Sequence, residues 1–375
     1  LNPAPTTTLG PTTNVNAYFG WSVSHAGDVN GDGYSDVVVG AYRNNIGGPT
    51  EEGTAYVFHG SATGVNTTPA RTLEGNQTSA WYGRSVSTAG DVNGDGYGDL
   101  LVGAVTYANG QALEGAAFLY LGSAAGIPAS PLSIFEINTA GANMGESVRT
   151  AGDVNGDGYS DLIVGMRLYG SAGGALIYHG GTYNLSSTAT TVRYGGQLNG
   201  YQGCSVANAG DLNGDGYSDV AVGEYGASNG QAGEGRVHVH YGSTGGIPSI
   251  PSLTLEANLA GAQFGYSVAS AGDVNGDGYA DLVVGAPLSG GTGRAYLYLG
   301  SSAGLSSTPA LTWNGTAGSE FGFAVATAGD TDADGSSEVL VGSPGTDQVF
   351  VFQGEHNQLP ATAMVTLASP IAGAR

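Results

Sequence analysis

Short apolar runs separated by glycine-rich polar stretches recur along the whole chain, and they come in sets of four. One run is small and alternating, as in Ser267-Val268-Ala269-Ser270-Ala271. The next is continuous and β-branched, as in Val37-Val38-Val39 or Leu282-Val283-Val284, and ends on a glycine. A third alternates aromatic and aliphatic residues, as in Ala295-Tyr296-Leu297-Tyr298-Leu299. A fourth closes the set, as in Arg71-Thr72-Leu73-Glu74 or Ser252-Leu253-Thr254-Leu255-Glu256. None of these runs follows a 3.6-residue period, and each is short and bounded by turn formers, which predicts strands. The 68 glycines in 375 residues exceed the ordinary usage of about 7% and fit many tight turns.

The sets are copies of one repeat. Ala26-Gly27-Asp28-Val29-Asn30-Gly31-Asp32-Gly33-Tyr34-Ser35-Asp36 returns almost verbatim, its first Asp falling at Asp28, Asp91, Asp153, Asp211, Asp273 and Asp330. The spacings are 63, 62, 58, 62 and 57 residues. Four antiparallel strands per repeat, stacked so that each blade hides its neighbour's face, describe a β-propeller. A linear β-solenoid is the alternative, with usually shorter repeats. The expected fold is therefore all-β, a single propeller domain over residues 1–375 with six four-stranded blades; seven would need a further core. Thr6-Thr7-Thr8-Leu9-Gly10 and Met364-Val365-Thr366-Leu367-Ala368 both match the fourth run, and one of them is expected to pair with a blade from the opposite end of the chain.

Between the first and second runs of each repeat lies an acidic loop, with acids or amides at positions one, three, five and nine and Gly at six. Alternate positions let side-chain oxygens converge on one hard cation, and position seven can add its carbonyl. The ligand sets are Asp28, Asn30, Asp32, Tyr34 and Asp36; Asp91, Asn93, Asp95, Tyr97 and Asp99; and Asp153, Asn155, Asp157, Tyr159 and Asp161. The later repeats give Asp211, Asn213, Asp215, Tyr217 and Asp219; Asp273, Asn275, Asp277, Tyr279 and Asp281; and Asp330, Asp332, Asp334, Ser336 and Glu338. An EF-hand is excluded, because position twelve is apolar (Val39, Val102) and a strand follows. Zinc would ask for His or Cys, and magnesium for fewer protein ligands. About six structural Ca²⁺ ions are expected.

Charge narrows the partners. The formal net charge is −22, from 31 acidic residues against nine arginines and no lysine, so neither a nucleic-acid footprint nor a polybasic membrane segment is present. No apolar stretch approaches a membrane span. Cys204 stands alone, so no intrachain disulfide is possible, and it reads as a small buried residue. No signal peptide is visible, so an exported protein would be represented by its mature form.

The residues around the loops resemble the FG-GAP repeats of integrin α-subunit propellers. The FG element stands as Phe19-Gly20, Tyr82-Gly83, Met144-Gly145, Gln202-Gly203, Phe264-Gly265 and Phe321-Gly322. The GAP element stands as Gly40-Ala41-Tyr42, Gly103-Ala104-Val105, Gly165-Met166-Arg167, Gly223-Glu224-Tyr225, Gly285-Ala286-Pro287 and Gly342-Ser343-Pro344. The resemblance implies an extracellular or cell-surface, calcium-stabilised adhesion module. Six cores in place of the family's seven blades point to a prokaryotic relative and not to an integrin. It also implies a binding face opposite the calcium loops for a protein ligand or partner subunit. After the FG glycine come Trp21, Arg84, Glu146, Cys204, Tyr266 and Phe323, where the family places aromatic rings that hold a partner's cation. Axial packing with an Arg84–Glu146 ion pair is the plainer alternative. The loops between second and third strands add Tyr42, Arg43, Tyr107, Arg167, Tyr169, Glu224 and Tyr225.

No nucleophile or zinc motif surrounds His25, His59, His179, His238, His240 or His356, so an enzyme is not expected. A carbohydrate-binding or substrate-targeting module of a larger secreted protein is the competing function.

Overall fold

A computed structural model of the chain describes residues 7–10, 16–46, 50–182, 189–192, 197–356, 358–359 and 361–368. Among them are six four-stranded antiparallel sheets, each made of four consecutive strands. The fold is an all-β six-bladed propeller, as the six repeats predict. The chain divides into two compact units, one carrying blades one to three and the other blades four to six.

Blade one shows how the sequence builds each sheet. Its strands are Phe19–Gly27, Asp36–Ala41, Thr54–Phe58 and Arg71–Glu74, paired in that order. The second strand of most blades, such as Asp99–Ala104 or Asp281–Ala286, is buried at every position. Continuous β-branched runs are what a strand covered on both faces requires. Fourth strands such as Leu253–Glu256 alternate buried and exposed positions, as expected at a blade's outer edge.

Within each unit, the seams between blades explain why the FG and GAP motifs travel together. A Cβ placed on Gly40 would stand 2.0 Å from the Gly83 carbonyl oxygen of the next blade. Gly103 and Gly145, Gly223 and Gly265, and Gly285 and Gly322 repeat that approach. The glycine of each GAP element therefore lets the next blade's FG turn come into backbone contact. Apolar clusters fill the same seams: Val38, Val57, Tyr82, Leu100 and Phe118 in one unit, and Val237, Phe264, Leu282 and Tyr298 in the other.

The two terminal fragments behave differently from expectation. Val365–Ala368 pairs with Gln348–Phe352, so blade six is completed by its own fourth strand. Residues 7–10 carry no strand, and Thr6 lies outside the described residues. Among the described residues each blade is contiguous in sequence, and neither fragment lends a strand to a distant blade. Among the described residues, no helix is long and apolar enough to cross a membrane.

Candidate calcium loops and the opposite loop end

Each acidic loop connects the first and second strands of its blade, and the position-nine acid is the first residue of the second strand. In the first loop, Asp28 Oδ1 accepts the backbone N–H of Gly31 at 2.7 Å and of Asp32 at 3.1 Å, and Oδ2 accepts that of Gly33 at 2.7 Å. Asn30 Oδ1 accepts the Asp32 N–H, and Asp32 Oδ1 accepts the Tyr34 N–H. The same turns recur with Asp91, Asp211 and, in part, Asp153 and Asp273. An ionised carboxylate offers about four acceptor sites, so these bonds leave lone pairs for a cation.

Position nine is different. Asp36 is fully buried, its Oδ2 accepting the Val29 N–H at 2.9 Å and its Oδ1 the Gly60 N–H at 2.8 Å. Asp99, Asp219 and Asp281 repeat the arrangement, and burial, reinforced by the loop carboxylates beside them, lifts the pKa of each to about 7. The sixth loop brings carboxylates together most closely. Ligand oxygens of Asp330, Asp332 and Glu338 all lie within 4.8 Å of one another. Glu338 is fully buried; its Oε2 accepts the Thr331 N–H at 2.6 Å, while its Oε1 has no hydrogen-bond partner. A buried anionic oxygen without a donor, inside a three-carboxylate group, is a donor set that fits a hard divalent cation.

Two features of these loops were not read from the sequence. Consecutive loops within a unit are chained by backbone bonds: Asp28 O accepts the Gly98 N–H at 2.8 Å, Asp91 O that of Ser160, Asp211 O that of Ala280 and Asp273 O that of Ser337. The position-seven tyrosine also covers the preceding loop. Gly31 has φ +72°, and a Cβ there would stand 2.6 Å from the Tyr97 ring; Gly94 meets Tyr159 in the same way. In blade six, where position seven is Ser336, His356 takes that place against Gly276. The imidazoles of His59 and His179 also reach their loops, at 3.3 Å from Asn30 Nδ2 and from Asp161 Oδ1 respectively.

At the other end of the blades, the FG turns and the loops between second and third strands gather the remaining candidates. In the unit of blades one to three, the Arg84 guanidinium lies 4.3 Å from the Trp21 ring centroid and 5.2 Å from that of Tyr42. Its Nη2 is 3.1 Å from Glu146 Oε1, and Arg167 Nε is 3.6 Å from the other oxygen of Glu146. Arg43 stands within 5.4–5.6 Å of the Tyr18, Tyr42 and Trp81 rings and 3.9 Å from Glu51. The expected ion pair and the cation–π contact thus form together, and the cation over Trp21 is the chain's own Arg84.

In the unit of blades four to six, Tyr201, Tyr225, Tyr266 and Phe323 form a row with successive centroids 5.1, 5.4 and 5.0 Å apart. Tyr18, Trp81 and Tyr201 were missed in the sequence. Each immediately precedes the FG dipeptide and has positive φ, a signal visible as an aromatic residue before that dipeptide.

Three candidates turn inward. Tyr107 packs edge-on against Phe118 at 5.3 Å, and half-buried Tyr169 lies against the blade-three core. Glu224 is fully buried and holds Arg236 Nε at 2.6 Å and His238 Nε2 at 2.9 Å. Cys204 is half-buried, with its sulfur 3.5 Å from the Gly223 carbonyl oxygen.

Comparison with known proteins matches residues 19–58, 82–113, 205–240 and 264–298 to the FG-GAP repeat and residues 153–222 to the FG-GAP-like repeat. Together these cover more than half of the chain. Integrin alpha-5 of Xenopus laevis is 30% identical over 264 residues, which is 65% of this chain and 24% of that protein. Integrin alpha-V of Gallus gallus is 34% identical over 219 residues, 55% of this chain and 20% of that protein. Integrin alpha-IIb of Mus musculus is 40% identical over 146 residues, 36% and 14%. The matched region spans about a quarter or less of each relative's length.

Proposed function

We propose a binding role for this chain, which is an FG-GAP repeat β-propeller related to integrin α subunits: it acts outside the cell or on its surface as a calcium-stabilised adhesion module. Its acidic loops hold Ca²⁺ through the side chains at positions one, three, five and nine, and the ions neutralise converging carboxylates. Extracellular modules of this ligand type bind calcium at roughly 10⁻⁴–10⁻³ M, which suits an extracellular setting. A protein partner docks at the end of the blades opposite these loops.

The observation that carries this reading is the cluster of Trp21, Tyr42, Arg43, Arg84, Glu146 and Arg167. Three of the nine arginines of an acidic chain stand there among aromatic rings. Trp, Tyr and Arg dominate interface hot spots. Trp21 and Tyr18 are each 42% exposed, and the ion pairs and ring contacts hold the cluster in place before any partner arrives, which lowers the ordering cost of association.

The test is a surface-plasmon panel of purified extracellular proteins. Replacing Trp21 and Trp81 together by alanine should abolish capture without changing the melting temperature. Tyr34→Ala, an exposed residue of the acidic-loop end, should leave capture intact. Capture retained by the double variant would remove the idea.

A further inference from the structure

Blade six departs from blades one, two and five in one pair of side chains. In blades one, two and five the residue three places beyond the second strand faces a ring on the third strand. Asn44 donates to the Tyr56 hydroxyl at 2.7 Å, and the Ser289 hydroxyl is 3.4 Å from that of Tyr296. Tyr107 instead meets the plain phenyl ring of Phe118. In these three blades a small polar residue is thus matched to a hydroxylated ring, and a large residue to a bare one. Blade six has the small residue and the bare ring. The Thr346 hydroxyl turns back to the Ser343 carbonyl at 3.2 Å, and Phe350 offers no hydroxyl. A cavity of about 420 Å³ opens where the missing bulk would sit, within the range of about 300–1,000 Å³ usual for small-ligand sites.

Its lining decides the class of ligand. The half-buried Phe350 and the edges of the core rings Trp313, Phe321 and Phe352 line its floor, with the Trp313 and Phe352 rings 4.4 Å apart. Thr312, Asn314, Thr316, Gln348 and Thr362 supply hydroxyls and amides at the rim, and among the described residues no charged side chain lines the cavity. An ionic ligand would lose hydration with no counter-charge to replace it. A purely aliphatic ligand would dehydrate the Asn314 and Gln348 amides without pairing them. A pyranose ring has both an apolar C–H face for the aromatic floor and a hydroxyl edge for the rim. We propose that this cavity binds an uncharged sugar of one or two pyranose rings. It shares no residue with the clusters assigned to a protein partner, so either assignment can fail without the other.

Trp21→Phe and Trp81→Phe leave Trp313 as the single tryptophan and make it the reporter. In that background, one or more of the neutral disaccharides cellobiose, xylobiose, maltose and lactose should shift Trp313 emission saturably, and digalacturonate should not. Thr346→Tyr rebuilds the pairing of Tyr107 with Phe118 and fills the cavity. It should weaken binding at least about tenfold, equivalent to about 1.4 kcal/mol, with an unchanged or higher melting temperature. Should that variant fail to fold, Gln348→Ala at the rim must show weakened binding in its place. No saturable response to any of the four sugars, a preference for digalacturonate, or unaltered affinity in the folded variants would overturn the proposal.

Discussion

Asp99 and Asp95 belong to the same acidic loop, yet their side chains answer to different forces. Both oxygens of the buried Asp99 accept backbone N–H bonds, from Val92 at 2.9 Å and Gly122 at 2.9 Å, tying the loop to the end of the third strand. Asp95 is exposed and bonds only inside its loop, to the Tyr97 N–H and the Asn93 amide. An asparagine at 99 must turn its NH₂ toward one of the two N–H donors, leaving a buried donor unsatisfied. Asp99→Asn should therefore cost about 1–3 kcal/mol even with calcium chelated. Asp95→Asn should cost much less in chelator and show its main loss only with calcium present. Urea unfolding of both variants in EDTA and in calcium separates the two roles; equal losses in EDTA would mean that position nine has no structural share of its own.

At the scale of strands and loops, the sequence carries the repeat because its signals are local. The β-branched second strands, the acidic loops and the paired glycines each occupy a fixed offset, and burial follows from those offsets. The direction of a loop side chain is not local. Tyr107 and Tyr42 occupy comparable loops, but Tyr107 is drawn to Phe118 while Tyr42 meets Trp21, Trp81 and Arg84. Nor does a repeat pattern reveal that Arg84 from one blade will cover Trp21 from another. The third strand of blade four, Arg236–His240, shows the same limit, since two histidines stand where other blades place aromatic or aliphatic residues. His238 is taken by Glu224, whereas His240 is fully buried, and burial, followed by the nearby His238, lowers its pKa to about 3. Above about pH 6.5 both folded and unfolded His240 are neutral and contribute no pH dependence. Below that, the unfolded chain takes up a proton that the folded chain refuses, so stability falls by about 1.4 kcal/mol per pH unit until about pH 3. His240→Phe, which copies blades one and six, should flatten this part of the stability profile. Denaturant unfolding of both proteins between pH 7 and pH 5 in saturating calcium checks it, and parallel profiles would contradict the assignment.

For the whole molecule, the acidic loops concentrate repulsion where the seams are made. Nineteen of the 31 acidic residues lie in the six loops. Within each unit the backbone bonds from one loop to the next place that charge on the blade junctions themselves. A divalent ion in each loop would offset about twelve of these charges and hold the chained turns in register. Filling one site at about ten times its dissociation constant stabilises the fold by about 1.4 kcal/mol, and six sites by about 8 kcal/mol, comparable to the full stability of many domains. Chelation should consequently lower the melting temperature by many degrees and broaden the transition. The nature of the rescue tells a cage from simple screening. If the loops only repel, molar NaCl should restore the transition, because it shortens the screening length to about 3 Å. If side-chain oxygens close around an ion, millimolar Ca²⁺ should restore it, NaCl should not, and Mg²⁺ should do so poorly, since it demands tight octahedral geometry and keeps its waters. Scanning calorimetry of the chelated protein with each addition decides between them. Rescue by NaCl alone would leave the loops as turns and would remove calcium from the account of how this propeller is held together.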